Sequence, residues 1–487
     1  MASLQIIIKK IVFIRIKNKV IMKFIIACFF IFWSYTINAQ KDSSNFLSYE
    51  YFMAMVKKNH PIAKQAALIT KTADAKLLIS KGNFDPKIFY DFNQKQFDEK
   101  NYWTIADGGF KVPTWFGIEI KGGYEQNNGQ YLNPEELIPS QGLIYSQISF
   151  PIGQGLFIDE RRAQLKQAKL LIDLSDFEKT NLINELLLNA GKVYWDWQMA
   201  YNNLIVYNNS VTIAKQRFDG VVESVKYGDR PSIDTLEASI QLQERIVNTQ
   251  QAQIDYINKS LLLSNYLWME NDTPLQITNK TAPQTVSDID QTNNYILSTV
   301  SKIDSLLSIH PQLKTYDFKA EQLKVEQKLK KEKLKPSLNV NYNPLFQQNN
   351  NENNYLNNYK WGVNFTLPIF IRKERGDLQL TKIKLQELNF EIKNKQNEIQ
   401  NKIKAQLNEY NTSNNQIKTY INTVNNYRSL WIAEKTLFET GESSLFMVNS
   451  REMAYINAQV KLNELINKNK KSVLNTEFAL GQLNTLY

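Results

Sequence analysis

No proline interrupts the chain between Pro151 and Pro231, and none follows Pro368. Both tracts have helix-forming composition, few glycines and an unbroken apolar period. In the first, Ile183, Leu186, Ala190, Val193, Trp197, Ala200, Leu204, Tyr207, Val211, Ala214, Phe218, Val221 and Val225 alternate steps of three and four. Heptads that run this far without a slip are the pattern of a coiled-coil seam. In the second, Ile403, Tyr410, Ile417, Val424, Trp431 and Phe438 recur every seven residues, with Tyr420 and Tyr427 in the intermediate seam. The seam residues themselves read as the core of a helical bundle. Helices over residues 158–227 and 374–438 would each be roughly 100 Å long at 1.5 Å per residue, too long for a compact globular domain. Each seam ends three residues before a glycine, Gly228 or Gly441, which opens the turn Gly-Asp-Arg-Pro-Ser or Gly-Glu-Ser-Ser. Pro231 then falls where a first helical turn tolerates proline. Two helical hairpins are predicted, 158–268 and 374–482, with returning helices near 233–268 and 445–482.

The two halves of the chain repeat each other beyond this shared period. His60-Pro61 recurs as His310-Pro311, and each His-Pro precedes the next shared proline, Pro86 or Pro336, by the same distance. Pro151 corresponds to Pro368 and Gly228 to Gly441. The offset shrinks between the second and third markers, so the first half carries an insertion between Pro86 and Pro151. The repeated His-Pro contexts point to a backbone role for both histidines rather than to metal ligation.

Between the paired prolines the period changes from helical to two. Leu338, Val340 and Tyr342 alternate with asparagines, and Trp361, Val363, Phe365 and Leu367 with Gly, Asn and Thr; an Asn-rich loop joins the two runs. In the first half Ile88, Tyr90 and Phe92 alternate with Lys87, Asp91 and Asn93, and a weaker strand covers 144–150. The insertion holds Phe116, Ile118, Ile120 and Tyr124 among Gly117, Glu119 and Lys121. A half-buried soluble hairpin and an outer-membrane barrel strand both give this alternation. Trp103, Trp115 and Trp361 are candidates for aromatic girdles. Four to six strands cannot close a membrane barrel alone, and open edges do not sit in lipid, so membrane strands here would require an oligomer.

Composition narrows the function. The chain has one cysteine, Cys28, and two histidines, so thiolate metal sites and His-rich centres are not expected. The formal charge of +10 is concentrated in residues 1–39, which carry six basic and no acidic residues; the remainder has 52 basic and 48 acidic residues, a net of +4. That is no nucleic-acid footprint. From Met22, one lysine, a short apolar run and small residues ending at Ala39 read as a secretory signal peptide, with Met22 as the expected true start. Beyond residue 40 no apolar run approaches the roughly 20 residues of a membrane-spanning helix. The domain plan is a signal peptide 1–39, a first structural repeat 40–270 with strands in 84–150, a linker 271–295, and a second repeat 296–487 with a β-hairpin 337–367. No Gly-x-Ser-x-Gly, His-Glu-x-x-His or phosphate-loop element supports an exported hydrolase.

This ordered set resembles the TolC family of outer-membrane efflux channel proteins over about residues 46–484. The residues that carry the resemblance are Asn59-His60-Pro61 and His310-Pro311, Phe150-Pro151-Ile152 and Leu367-Pro368-Ile369, and the two tip turns with the residues that follow them. The Ala-Gln leader ending and the Asn-, Lys- and Ile-rich composition resemble proteins of the Bacteroidetes. The family resemblance implies a mainly α fold with membrane β. In it a homotrimer completes a β-barrel in outer-membrane lipid, about four strands per chain, above a periplasmic helical barrel. It implies a passive exit duct served by an inner-membrane pump and a periplasmic adaptor, or by type I secretion, with neither catalysis nor cofactor. The adaptor-contact candidates are the tip residues Gly228, Asp229, Pro231, Ser232, Gly441, Glu442, Ser443, Ser444 and Leu445.

The best-known family members constrict the periplasmic end with aspartates six and nine residues beyond the second tip glycine. Met447 and Ser450 stand there in this chain, while the first repeat has Asp234 and Glu237 at the same offsets. These four are the aperture candidates, Met447 either as an apolar constriction or as a residue packed between neighbouring helices. The rival reading is a periplasmic coiled-coil adaptor or scaffold, which usually has one helical hairpin flanked by small β domains.

Overall fold

The computed structural model describes residues 46–277, 281–284, 303–347 and 357–487. The signal peptide reading, most of the 271–295 linker and most of the Asn-rich loop lie outside the described residues. In chain order the elements are β1 (Phe46–Leu47), α1 (Tyr49–Asn59), α2 (Pro61–Gly82), β2 (Lys87–Phe97), β3 (Lys100–Pro113), β4 (Glu119–Asn128), β5 (Leu143–Pro151), α3 (Glu160–Lys226) and α4 (Ile233–Ser264). There follow β6 (Ala282–Pro283), α5 (Ile303–Ile309), α6 (Pro311–Glu332), β7 (Ser337–Phe346), β8 (Tyr359–Thr366), α7 (Arg372–Glu439), α8 (Leu445–Ala479) and α9 (Leu483–Leu486). The chain divides into two units. In the smaller, β1 pairs in parallel with β6. The larger holds the remaining elements.

The internal repeat is visible element by element. α2 and α6 are each 22 residues long, and α3 and α7 are 67 and 68. Both histidines act on the backbone, as their context suggested. His60 Nδ1 accepts from Ile62 N at 3.1 Å and His310 Nδ1 from Gln312 N at 3.2 Å, capping the helices that Pro61 and Pro311 open. His310 Nε2 lies 3.2 Å from Ala479 O, which makes Nε2 the protonated nitrogen of a neutral ring. α3 packs along α2, α4, α6 and α8, and α7 along α6 and α8.

The first heptad seam is core as expected: of its thirteen residues eight are buried and none is exposed. Tyr194 and Trp197, 1% and 0% exposed, anchor it beside Phe52 of α1, and Trp197 Nε1 donates to Ser260 Oγ at 3.0 Å. The second seam is core only in its upper half. Ile403, Tyr410 and Ile417 are buried, whereas Val424, Trp431 and Phe438 are half-buried and Tyr427 is exposed.

The strand count departs from the expectation of about four. One antiparallel sheet has six strands in the order β2-β3-β4-β5-β7-β8. The insertion supplies the additional pair, β3 and β4, between the strands of the first repeat. β3 follows β2 through a two-residue turn, Asp98-Glu99, with φ of 52° and 58°. These values at both central residues are those of a type I′ hairpin turn. Of the predicted insertion strand, 119–128 is β4, but Phe116 and Gly117 lie in the preceding turn.

Candidate functional site: hairpin tips and sheet face

Both tips are built by the same helix stop. Gly228 (φ +81°) follows α3; its N–H bonds Val225 O at 3.0 Å, and Asp229 N bonds Ser224 O at 2.9 Å. Gly441 (φ +83°) repeats this after α7, with Gly441 N to Phe438 O at 3.2 Å and Glu442 N to Leu437 O at 2.8 Å. This 5→2 and 6→1 pair is a Schellman stop, whose left-handed residue favours glycine. Ser444 accepts from Met447 N at 3.3 Å and caps α8. Ser232 makes no such side-chain cap, and Pro231 stands one residue ahead of the cap position rather than inside α4.

Arg230 ties the two tips together. Its guanidinium lies 3.8 Å from the Phe438 ring centroid, donates to Phe438 O at 3.1 Å and pairs with Asp234 at 3.6 Å. Beneath it Val221, Ala238 and Leu445 form a buried cluster with Phe218, Val225 and Phe438. Of the predicted contact residues, Gly228, Asp229, Pro231, Ser232, Gly441, Glu442 and Ser444 are exposed, and Ser443 is half-buried with its hydroxyl on Glu434. Leu445, 3% exposed, is a core residue of the tip in this chain. Tyr227, Ile233, Leu236 and Phe446, 61–79% exposed, are the apolar surface of the tips.

The four aperture candidates part company. Asp234 is engaged by Arg230 of its own turn, and Glu237 accepts from Asn449 Nδ2 at 3.4 Å, a link from the first hairpin to the second. Met447 is half-buried and Ser450 exposed. Higher up, a buried ionic cluster joins the hairpins. Arg217 bonds both Asn449 Oδ1, at 2.5 Å, and the Glu452 carboxylate, while Arg245 Nε lies 3.8 Å from Glu452 Oε1. The Arg245 and Glu452 side chains are each 1% exposed. Burial, and then the charge of Arg245, lowers Arg217 to about 10. The available signal for this cluster was register: Ala238, Arg245 and Ala252 fall seven residues apart on the buried face of α4.

At the other end of α3 and α7 the sheet has two unlike faces. One registered row runs Val112–Ile120–Ile148–Tyr342–Trp361, and a second runs Tyr90–Gly108–Tyr124–Ile144–Phe346. The opposite face carries Lys111–Lys121–Gln147 and Asp91–Asp107–Glu125 in register, with Lys121 Nζ 3.1 Å from Asp107 and Tyr145 Oη donating to Asp107 at 2.7 Å. Among the described residues no group of three or more His, Asp or Glu side chains could hold a metal, and no helix is long and apolar enough to cross a membrane.

No protein-family model and no curated protein matches the sequence. Solved structures do match. The CmeC outer membrane channel of Campylobacter jejuni superposes with a TM-score of 0.65 at 16% identity, over 89% of this chain and 85% of that one. The outer membrane protein VceC of Vibrio cholerae gives 0.62 at 12% identity, over 89% and 95%. The open state of the MtrE outer membrane channel of Neisseria gonorrhoeae gives 0.62 at 10% identity, over 89% and 88%. The fold is that of an outer-membrane channel. The matches cover both hairpins and the sheet together, and the one-hairpin adaptor reading is not favoured.

Proposed function

We propose that this protein is the outer-membrane exit duct of an export route. It acts as a homotrimer that passively conducts substrates delivered by an inner-membrane pump through a periplasmic adaptor, and it performs no catalysis. The observation that carries the reading is a sheet with one apolar, exposed face joined directly to two helical hairpins roughly 100 Å long. Support for the trimer comes from α4. Ile233, Leu236, Ile240, Val247, Ile254, Ile257 and Leu261 form a second heptad stripe along it, each 38–69% exposed. A coiled-coil seam of that length is stable when a second helix covers it, and neighbouring subunits provide one. The exposed tip surface around Tyr227 and Phe446 is the adaptor contact, and Met447 lines the aperture.

Cross-linking of detergent-extracted outer-membrane fractions tests the reading. A ladder that stops at three subunits in that fraction is expected. Monomer in the soluble periplasmic fraction would overturn it.

A further inference from the structure

We infer that all six strands of each chain enter the membrane wall, so that the trimer on which this inference rests closes an eighteen-stranded barrel. The resemblance had implied twelve strands, with the insertion free to lie outside. Three observations place β3 and β4 in the wall. One set of their apolar side chains is in register with those of the other strands: Val112 and Ile120 continue into Ile148, Tyr342 and Trp361 without a break, while Trp103 and Ile105 of β3 lie on the face of Asp107. A hairpin folded away from lipid has no reason to keep that register. Their glycines make room for neighbouring strands and their rings. A Cβ on Gly108 would stand 3.1 Å from the Tyr90 ring, one on Gly122 2.8 Å from the Phe110 ring, and one on Gly109 would overlap Gly122 O. Aromatic rings laid over glycines of the adjacent strand are a device by which barrel walls turn. Finally, the charges of the inserted strands, Asp107, Lys121 and Glu125, lie on the opposite face, paired with one another or with polar neighbours as a wet lumen surface requires.

The sheet leaves β2 and β8 as edges, and lipid excludes open edges, so β2 of one subunit pairs with β8 of the next. Barrel diameter grows roughly linearly with strand number, so eighteen strands give an exit about one and a half times as wide as twelve, in the range where barrels enclose an aqueous channel. The cargo class this fits is hydrated and bulky, rather than small solutes passed in single file.

Cysteine labelling of the full chain in intact cells tests the assignment. Phe110→Cys and Ile120→Cys sit on the inserted strands, Lys121→Cys on their lumen face, Trp361→Cys on β8 and Glu135→Cys in the β4–β5 loop. Phe110→Cys and Ile120→Cys are expected to react with a lipid-soluble maleimide. With a charged, membrane-impermeant maleimide they react at least tenfold more slowly than Glu135→Cys, as Trp361→Cys does; Lys121→Cys takes the charged reagent. If both inserted-strand positions react with the charged reagent as fast as Glu135→Cys while Trp361→Cys stays protected, the barrel has fewer strands and the inference falls alone. If Trp361→Cys is open as well, the membrane reading beneath it falls too. Either inserted-strand variant decides the matter if the other fails to assemble.

Discussion

At the scale of single residues, two buried polar groups set what this chain tolerates. Burial holds His310 near a pKa of 4, with the nearby lysines adding to the shift and the bond to Ala479 O opposing it. Below about pH 6.5 the unfolded imidazole takes up a proton that the folded one refuses, so stability falls as pH drops from 6.5 towards 4 and levels off below. The loss attributable to His310 is about 2 kcal/mol per subunit at pH 5. Glu477, raised to about 7 by burial, acts with the opposite sign between its unfolded value and 7, so only a difference between variants isolates His310. His310→Asn keeps a capping side chain. Its denaturation midpoint is expected to gain on the parent chain's between pH 7.5 and pH 5, and an unchanged difference would falsify the assignment. Glu452 is the second case. Its neutralisation in Glu452→Gln leaves Arg217 and Arg245 buried without their carboxylate, a loss of about 3–5 kcal/mol. Ser450→Ala, two residues away on the exposed face, is expected to stay within about 0.5 kcal/mol in the same melting experiment.

At the scale of elements, the long helices differ in how much of their apolar surface the chain covers by itself. α3 has all its seam residues at least half-buried because helices of both repeats, among them α2, α4, α6 and α8, pack along it. α4 and the lower half of α7 leave apolar stripes open. Val247→Asp places a charge in the middle of the α4 stripe and is expected to abolish the three-subunit cross-linked species. Lys259→Asp, off the stripe on the same helix, is expected to preserve it. Equal ladders from the two variants would mean that the stripe is not a subunit seam. The heptads of α3 and α7 were legible because a helical period is written into neighbouring positions, and the return helices because each follows a glycine turn. β3 was not, for two local reasons. Its entry turn is Asp98-Glu99 rather than an Asn-Gly or Asp-Gly pair, and Gly108-Gly109 erases the large-small alternation in mid-strand.

At the scale of the whole molecule, the tip end and the sheet end carry separate tasks. The polar links of the tip, Arg230 to Phe438 O and Glu237 to Asn449, join hairpins within one chain. Asp234 of the first repeat is held by Arg230, and the second repeat offers Met447, half-buried, and Ser450, exposed, as its aperture candidates. Met447→Asp, introduced into the trimer in planar bilayers, is expected to raise closed-state leakage by putting three charges where apolar side chains meet. Unchanged single-channel conductance and leakage would mean that Met447 only packs between neighbouring helices.

The sequence by itself determined the long helices, their glycine stops, the duplicated His-Pro caps and the alternation of the outer strands. Each of these is a preference of the local backbone or a period along one element. The tertiary structure alone decided that Leu445 is core, that Asp234 belongs to Arg230, and that Arg217 and Arg245 share Glu452. It also decided that the insertion completes a six-stranded sheet. These facts join residues up to more than two hundred positions apart, and register between distant segments is set by packing and pairing in space, which no local period records.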